Sequence, residues 1–228
     1  MRLISLRVGR PSLLPIPPRT AGDEADDPDE PRVFRSAIGK HQMTEPVMLS
    51  PVGLDGDQVD DTRVHGGPEQ ALLAYAASHY PLWRAEWGRD DVGPGGFGEN
   101  LTVAGADETT VCIGDRWAIG EAAVEVTKPR SPCNRLSWYR QREDLIQRVR
   151  ATGRSGWYLR VLAPGLIEPG SAIRLIERGC PEMTVRRAQL AMQHRTERRD
   201  EAIALAGCGR LAQDWRIRLA KEGYRRQP

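Results

Sequence analysis

Apolar and polar positions alternate from the first residues. Leu3, Ile4, Leu6 and Val8 are interleaved with Arg2, Ser5 and Arg7, close to the two-residue period of a half-buried strand. Short runs of the same kind follow at 33–39, 46–49, 71–75, 101–104, 116–119, 123–127, 157–162 and 172–177, and Gly, Pro or Asp punctuates nearly every gap. Many short strands at modest spacing predict a mainly-β barrel or sandwich rather than a doubly wound sheet. Helices interrupt the pattern at 78–87 and 142–150. Residues 10–32 are rich in Pro and acid, as in Asp26-Asp27-Pro28-Asp29-Glu30-Pro31. Prolines withhold backbone donors and like charges repel, so a flexible surface insertion is expected there.

After Gly179 the period changes. Thr184 can cap a helix carrying Val185, Ala188 and Met192, a second helix runs over 197–206 to Gly207, and a third carries Leu211, Trp215 and Leu219 at intervals of four. The expected organisation is a mixed, mainly-β domain over 1–178 with helical excursions, followed by a three-helix extension over 179–228. Such an extension is too small to stand alone, and should pack on the β domain or on a second copy of the chain.

Composition adds limits. With 39% hydrophobic and 28% charged residues the chain is globular rather than disordered. The net charge of +2 conceals a split: from Arg178 onward twelve Lys or Arg face six Asp or Glu, a balance of +6, which leaves −4 for the rest. No run approaches the ~18 apolar residues of a membrane span, and the first residues lack the long apolar stretch of a secretory signal. Cys112, Cys133, Cys180 and Cys208 form no Cys-x-x-Cys pair and no disulfide framework, which points to a reducing, cytoplasmic compartment. A basic tail without a recognised helix-turn-helix or stacking platform argues against nucleic acid as a partner.

Three segments could carry chemistry. In Lys128-Pro129-Arg130-Ser131-Pro132-Cys133 the prolines stiffen a loop leaving a strand, and Arg130 favours the thiolate of Cys133, the ligating and nucleophilic form. A structural cysteine in a turn is the bland alternative. In Arg63-Val64-His65-Gly66-Gly67-Pro68 two basic side chains sit on alternate residues, and the glycines allow an anion to approach backbone N–H groups; an ordinary turn with His65 packed locally fits equally. Gly93-Pro94-Gly95-Gly96-Phe97-Gly98 matches the dinucleotide fingerprint in letters only, because a strand rather than a helix follows it. Asn100, next to that run, can both donate to and accept from a ligand. The cysteines and histidines show no zinc-ligand spacing.

Taken in order, these segments resemble the MOSC domain, in its free-standing YiiM-like branch. The carrying residues are Ser36-Ala37-Ile38-Gly39-Lys40, Gly53-Leu54-Asp55-Gly56-Asp57, Val64-His65-Gly66-Gly67-Pro68, His79-Tyr80-Pro81, Phe97-Gly98-Glu99-Asn100-Leu101, Pro129-Arg130-Ser131-Pro132-Cys133 and Gly156-Trp157 with Arg160-Val161. The resemblance covers about residues 33–177, and the tail from Thr184 looks like the three-helix extension of the same branch. It implies a MOSC-type β-barrel and a molybdenum cofactor (molybdopterin) whose metal takes Cys133 as a thiolate, with no need of pyridoxal phosphate. By position it implies Lys40, Arg63, His65, Gly66, Gly67, Asn100, Arg130 and Arg160 around that cofactor, and His65 as a proton source. The implied activity is reduction of small N-hydroxylated substrates such as 6-hydroxylaminopurine-type base analogues. The chain has no iron–sulfur or flavin signature, so an external reductase would supply electrons. The basic tail is a candidate surface for that donor or for a homodimer, with a plain solvated face as the competing reading. The rival function is a non-catalytic cofactor or sulfur carrier using a persulfide on Cys133.

Overall fold

A computed structural model of the chain describes residues 1–16, 32–62 and 65–224, with side chains as far as residue 220. In chain order the strands are β1 (Arg2–Val8), β2 (Ser12–Pro15), β3 (Val33–Ser36), β4 (His41–Gln42), β5 (Val47–Ser50), β6 (Gly53–Leu54), β7 (Leu72–Ala76), β8 (Leu101–Ala104), β9 (Arg116–Ile119), β10 (Ala122–Pro129), β11 (Trp157–Ala163), β12 (Gly165–Ile167) and β13 (Ile173–Glu177). The helices are α1 (His79–Trp87), α2 (Asn134–Arg140), α3 (Leu145–Thr152), α4 (Val185–Gln193), α5 (Arg199–Gly207) and α6 (Gln213–Tyr224). A single 3-10 turn covers Pro68–Gln70.

Eight strands form one sheet in the order β13-β9-β10-β11-β7-β8-β1-β4, antiparallel except for β7 beside β8. The sheet curls until Leu3 N–H reaches the Ser171 carbonyl at 3.0 Å and Arg2 bridges Ala172. Gly170 N–H also donates to the Leu3 carbonyl at 2.7 Å and Ile173 N–H to the Met1 carbonyl at 2.9 Å. These edges share one isolated bridge and no strand ladder, so among the described residues the closed barrel expected from sequence is not found. Strands β12, β5 and β6 make a second sheet, and β2 pairs with β3. The insertion expected at 10–32 is therefore ordered at its start, since Ser12–Pro15 pair residue by residue with Val33–Ser36; residues 17–31 lie outside those described. Phe34 of this hairpin packs on Trp138 of α2, ring centres 5.3 Å apart. Helix α2 was not expected: Pro132 and the αL residue Gln141 bound only seven residues, too short for a periodic signal.

The three C-terminal helices share one apolar core with the sheet. Val185, Ala188, Ala191, Met192, Leu205, Trp215 and Leu219 are continuous with Leu6, Leu72, Trp117, Val124 and Trp157. A second cluster gathers several rings: Tyr75, Tyr80, Trp83 and Phe97 close against Leu136, Leu145 and Val149 of α2 and α3. Tyr75 and Phe97 stack at 4.4 Å, and the Trp83 indole N–H donates to the Tyr75 hydroxyl at 2.6 Å. Among the described residues no helix is long and apolar enough to cross a membrane.

The cysteines depart from expectation. Cys180, after β13, is bonded to Cys208 at the end of α5, with Cα atoms 6.4 Å apart, while Cys112 and Cys133 are free. Spacing could not show this, because the partners lie 28 residues apart and meet only once the helices fold back. Thiol titration of denatured, unreduced protein should find two free thiols. Replacing both bridge residues by Ser should lower unfolding free energy by about 3.6 kcal/mol, the amount expected for closing a loop of this length. Four free thiols, or an unchanged denaturation midpoint, would contradict the bridge.

Candidate functional site

Strand β10 carries Thr127, Lys128 and Pro129 inside the sheet and ends where Arg130 leaves it, the Arg130 N–H still held by the Gly156 carbonyl at 3.0 Å. Pro132 and the extended backbone of Cys133 (φ −122°, ψ 170°) then start α2. This local geometry turns the thiol of Cys133, half-buried, into a cavity of about 460 Å³. The cavity is lined by residues from five of the seven segments named above: Ile38 and Lys40, Asp57, His65 to Gly67, Phe97 with Gly98 and Asn100, and Arg130 with Ser131 and Cys133.

Burial works against an ionised thiol. Here it is outweighed by a hydrogen bond from His65, the positive charge of Arg130, the N–H of Arg135 and the His65 ring charge, and the thiol comes down to about 7. Cys133 and His65, 68 residues apart in the chain, are thus brought together. Arg130 is almost wholly buried, and its Nη1 has no hydrogen-bond partner among the described residues. A buried guanidinium nitrogen without an acceptor costs free energy, which an anion in the cavity would recover. The Tyr158 phenol, pushed up by burial, contacts Arg130 and completes this wall.

The other expected site residues separate into three groups. Gly66 and Gly67 line the cavity with φ of 74° and 78°; a Cβ on Gly66 would meet Val59 at 3.0 Å, whereas Gly67 faces open space. Lys40 and Asn100 also line it, but both are engaged by the protein. Lys40 Nζ is ion-paired to Asp57, and the Asn100 amide donates to Asp57 at 2.8 Å and to the Arg7 carbonyl at 3.1 Å while accepting from Leu73 N–H at 3.1 Å. Asn100 thus stands on the cavity wall where the sequence put it and also ties three segments together. Arg160 does not reach the cavity. It is absent from the cavity lining and ion-pairs instead with Glu69 at 3.0 Å and with Glu125 at 3.4 Å. Arg63 lies outside the described residues.

Sequence reasoning missed the carboxylates that build the walls. Asp57 accepts from Gly9 N–H at 2.7 Å besides Lys40 and Asn100, and Asp60 joins Arg35 at 3.0 Å to Arg135 at 3.1 Å across the mouth. Glu99, fully buried, accepts from the Tyr80 hydroxyl, from Gly95 N–H at 2.6 Å, Phe97 N–H at 3.1 Å and Thr102 at 3.0 Å. That is what the glycine-rich turn is for: its backbone donors wrap a carboxylate from the same chain, leaving Phe97 and Gly98 on the cavity wall. A Cβ at Gly98 would meet Ile38 at 2.6 Å. An acid directly after a glycine-rich run was the available signal.

Residues 61–174 match the MOSC domain family. Over 189 residues the chain is 35% identical to protein YiiM of Escherichia coli (strain K12), with 82% of this chain and 84% of that one covered. The crystal structure of YiiM from Geobacillus stearothermophilus superposes with a TM-score of 0.77 at 30% identity, covering 96% of this chain and 97% of the other. The chain is a YiiM-like MOSC-domain protein. A reductase of Gibberella moniliformis (strain M3125 / FGSC 7600) is 37% identical over 199 residues, 85% of this chain but 34% of the fungal one. His65, Asn100, Arg130 and Cys133 of this MOSC protein lie in the matched region, and Lys40 lies before it.

The thiol predicts its own titration. At pH 7.5 about three quarters of Cys133 should be thiolate, against under about a tenth for an ordinary cysteine. Its alkylation rate, read on the Cys133 peptide by mass spectrometry, should rise with pH and level off above about 7. In His65→Asn the midpoint should move up towards the ordinary value. A wild-type midpoint already in the ordinary range would contradict the geometry.

Proposed function

We propose that this protein is a molybdenum cofactor-dependent oxidoreductase that reduces N-hydroxylated compounds, with Cys133 as the protein ligand of the metal. One observation carries the reading: a thiol held down at about 7 opens onto a cavity of about 460 Å³ whose wall contains a buried guanidinium nitrogen lacking an acceptor. The residues present fit a large anionic group with a thiophilic metal. A thiolate suits a sulfur-rich metal site, and Arg130 supplies a cation that is already desolvated. Membership of the MOSC family and similarity to a fungal protein named a reductase support a redox role.

On this reading Cys133 holds the metal, and Arg130, His65 and the Gly66-Gly67 backbone receive the anionic parts of the cofactor. Lys40 adds positive potential from its pair with Asp57. When bound, the cofactor supplies the two-electron removal of oxygen from the substrate. The chain itself does the rest. Phe97, Leu73 and Tyr158 offer apolar walls for a flat heterocycle such as a hydroxylamino purine, and burial of those walls keeps water away. His65, within hydrogen-bond reach of Cys133, is placed to hand a proton to the departing oxygen. The net change is R–NHOH plus two electrons and two protons to R–NH2 plus water. A separate reductase delivers the electrons, and a cytoplasmic setting supplies that donor.

Purification from a host that makes molybdopterin should give about one molybdenum per chain, as expected for a single thiolate site, with dye-driven loss of a hydroxylamino purine. Cys133→Ala should lose the metal and the turnover while melting within a few degrees of the parent. Metal and turnover retained in the Ala variant would overturn the assignment. Cyanide-labile sulfur on Cys133 without metal would instead indicate a sulfur carrier.

A further inference from the structure

Most polar side chains on the cavity wall are already engaged within the chain. Lys40 is paired with Asp57, Asp60 with Arg35 and Arg135, and the Ser36 hydroxyl accepts from Ile38 N–H at 3.2 Å. The Asn100 amide uses its oxygen on Leu73 N–H and its nitrogen on Asp57 and the Arg7 carbonyl. Gln58, Thr62 and Ser131 line the cavity but are exposed. Gln70 differs from all of these. It is half-buried on the wall, and among the described residues its side-chain amide has no hydrogen-bond partner.

The backbone that presents Gln70 is fixed. It closes the 3-10 turn Pro68–Gln70, and its N–H donates to the Gly67 carbonyl at 3.0 Å. The neighbouring Glu69 is held three ways: its carbonyl by the Thr127 hydroxyl at 2.8 Å, its carboxylate by the Gln213 N–H at 2.9 Å and by Arg160 at 3.0 Å. An amide on such a turn is preorganised, because little beyond its own side chain has to be ordered when a ligand engages it. It offers one acceptor oxygen and two N–H donors. Leu73, Phe97 and Tyr158 supply apolar walls beside it. The complement of that combination is a flat ring with a donor and an acceptor side by side on its edge, as a purine has and a benzenoid ring lacks.

We propose that Gln70 is a substrate-specificity residue, whose amide hydrogen-bonds the edge of a nitrogen heterocycle and so favours N-hydroxylated heterocycles over N-hydroxylated benzenoid compounds. This role rests on the reductase reading of the cavity given above. Selection comes from differential binding. A heterocycle exchanges its bonds to water for bonds to the amide, whereas a benzenoid ring strips water from Gln70 and gives no bond in return. Two neutral hydrogen bonds of ordinary net strength correspond to about a tenfold preference.

The test uses holoprotein from a host that makes molybdopterin, with 6-hydroxylaminopurine and phenylhydroxylamine as paired substrates. The variant is Gln70→Leu, which keeps the bulk of the side chain and removes the amide. The ratio of the two kcat/KM values should fall about tenfold, with the change residing in the KM of the purine rather than in kcat. Calorimetric binding of the corresponding amines, adenine and aniline, should weaken about tenfold for adenine relative to aniline. A ratio within about twofold of the parent, or equal weakening of both substrates, overturns the proposal. So does loss of molybdenum from the variant, which would put the amide on the cofactor instead. Should Gln70→Leu fail to fold, Gln70→Met is read by the same criteria. A parent that turns over neither compound sinks the reductase reading, and the role of Gln70 with it. A parent active on both, with the ratio unmoved in the variant, sinks the role of Gln70 alone.

Discussion

Desolvation opposes a negative sulfur at a half-buried position, and the site is organised around defeating that opposition. A thiol in an apolar cleft keeps its proton; Cys133 loses it more readily because a histidine, a guanidinium and a backbone N–H converge on one atom. Each of these comes from a different stretch of chain. His65 follows the loop after β6, Arg130 leaves the end of β10, and Arg135 opens α2. The sheet has to bring β10 beside β11, and the 3-10 turn has to lie against β10, before the three can meet.

Around this centre the protein stores charge in pairs rather than leaving it to solvent. Lys40 with Asp57 and Lys128 with Asp214 each place a nearly buried cation beside a carboxylate. Such pairs add little to stability relative to apolar residues of the same size, because desolvation offsets the attraction. Their value is directional: a paired cation has one place to be. Asp57 shows this most fully, fixing Gly9, Lys40 and Asn100 at once and so joining β1, the loop before β4 and the start of β8 on one carboxylate.

The sequence made the repeating parts of the fold legible. Strands Leu101–Ala104 and Arg116–Ile119 stand where alternation and turn residues put them, and Thr184 caps α4 through the Arg187 N–H. Periodicity reports local repetition only. It could not detect α2, seven residues long, or the bond between Cys180 and Cys208, or that the curled sheet stops short of a closed ladder. In the site, Cys133, His65 and Arg130 were legible because residue type and loop stiffness constrain their chemistry. Arg160 was expected at the cavity because its chemistry suits a ligand, and only the fold shows Glu69 and Glu125 occupying it; Asn100 does line the cavity, with its amide held by Leu73, Arg7 and Asp57.

The charge split along the chain takes on a different meaning in the folded molecule. A basic tail on an acidic body reads, from composition, as a surface awaiting an acidic partner. Part of that charge is already spent within the chain. Arg178 reaches the buried Asp115 at 2.8 Å, Arg210 pairs with Glu177 and lies 3.6 Å from the buried Glu125, and Arg186 donates to the Ala151 carbonyl at the end of α3. The sheet presents acids at its β9–β10–β13 face, and the segment that crosses that face is the basic one. The complementarity that composition suggests is therefore partly internal: it docks the helices on the sheet, next to the residues from which the site is built.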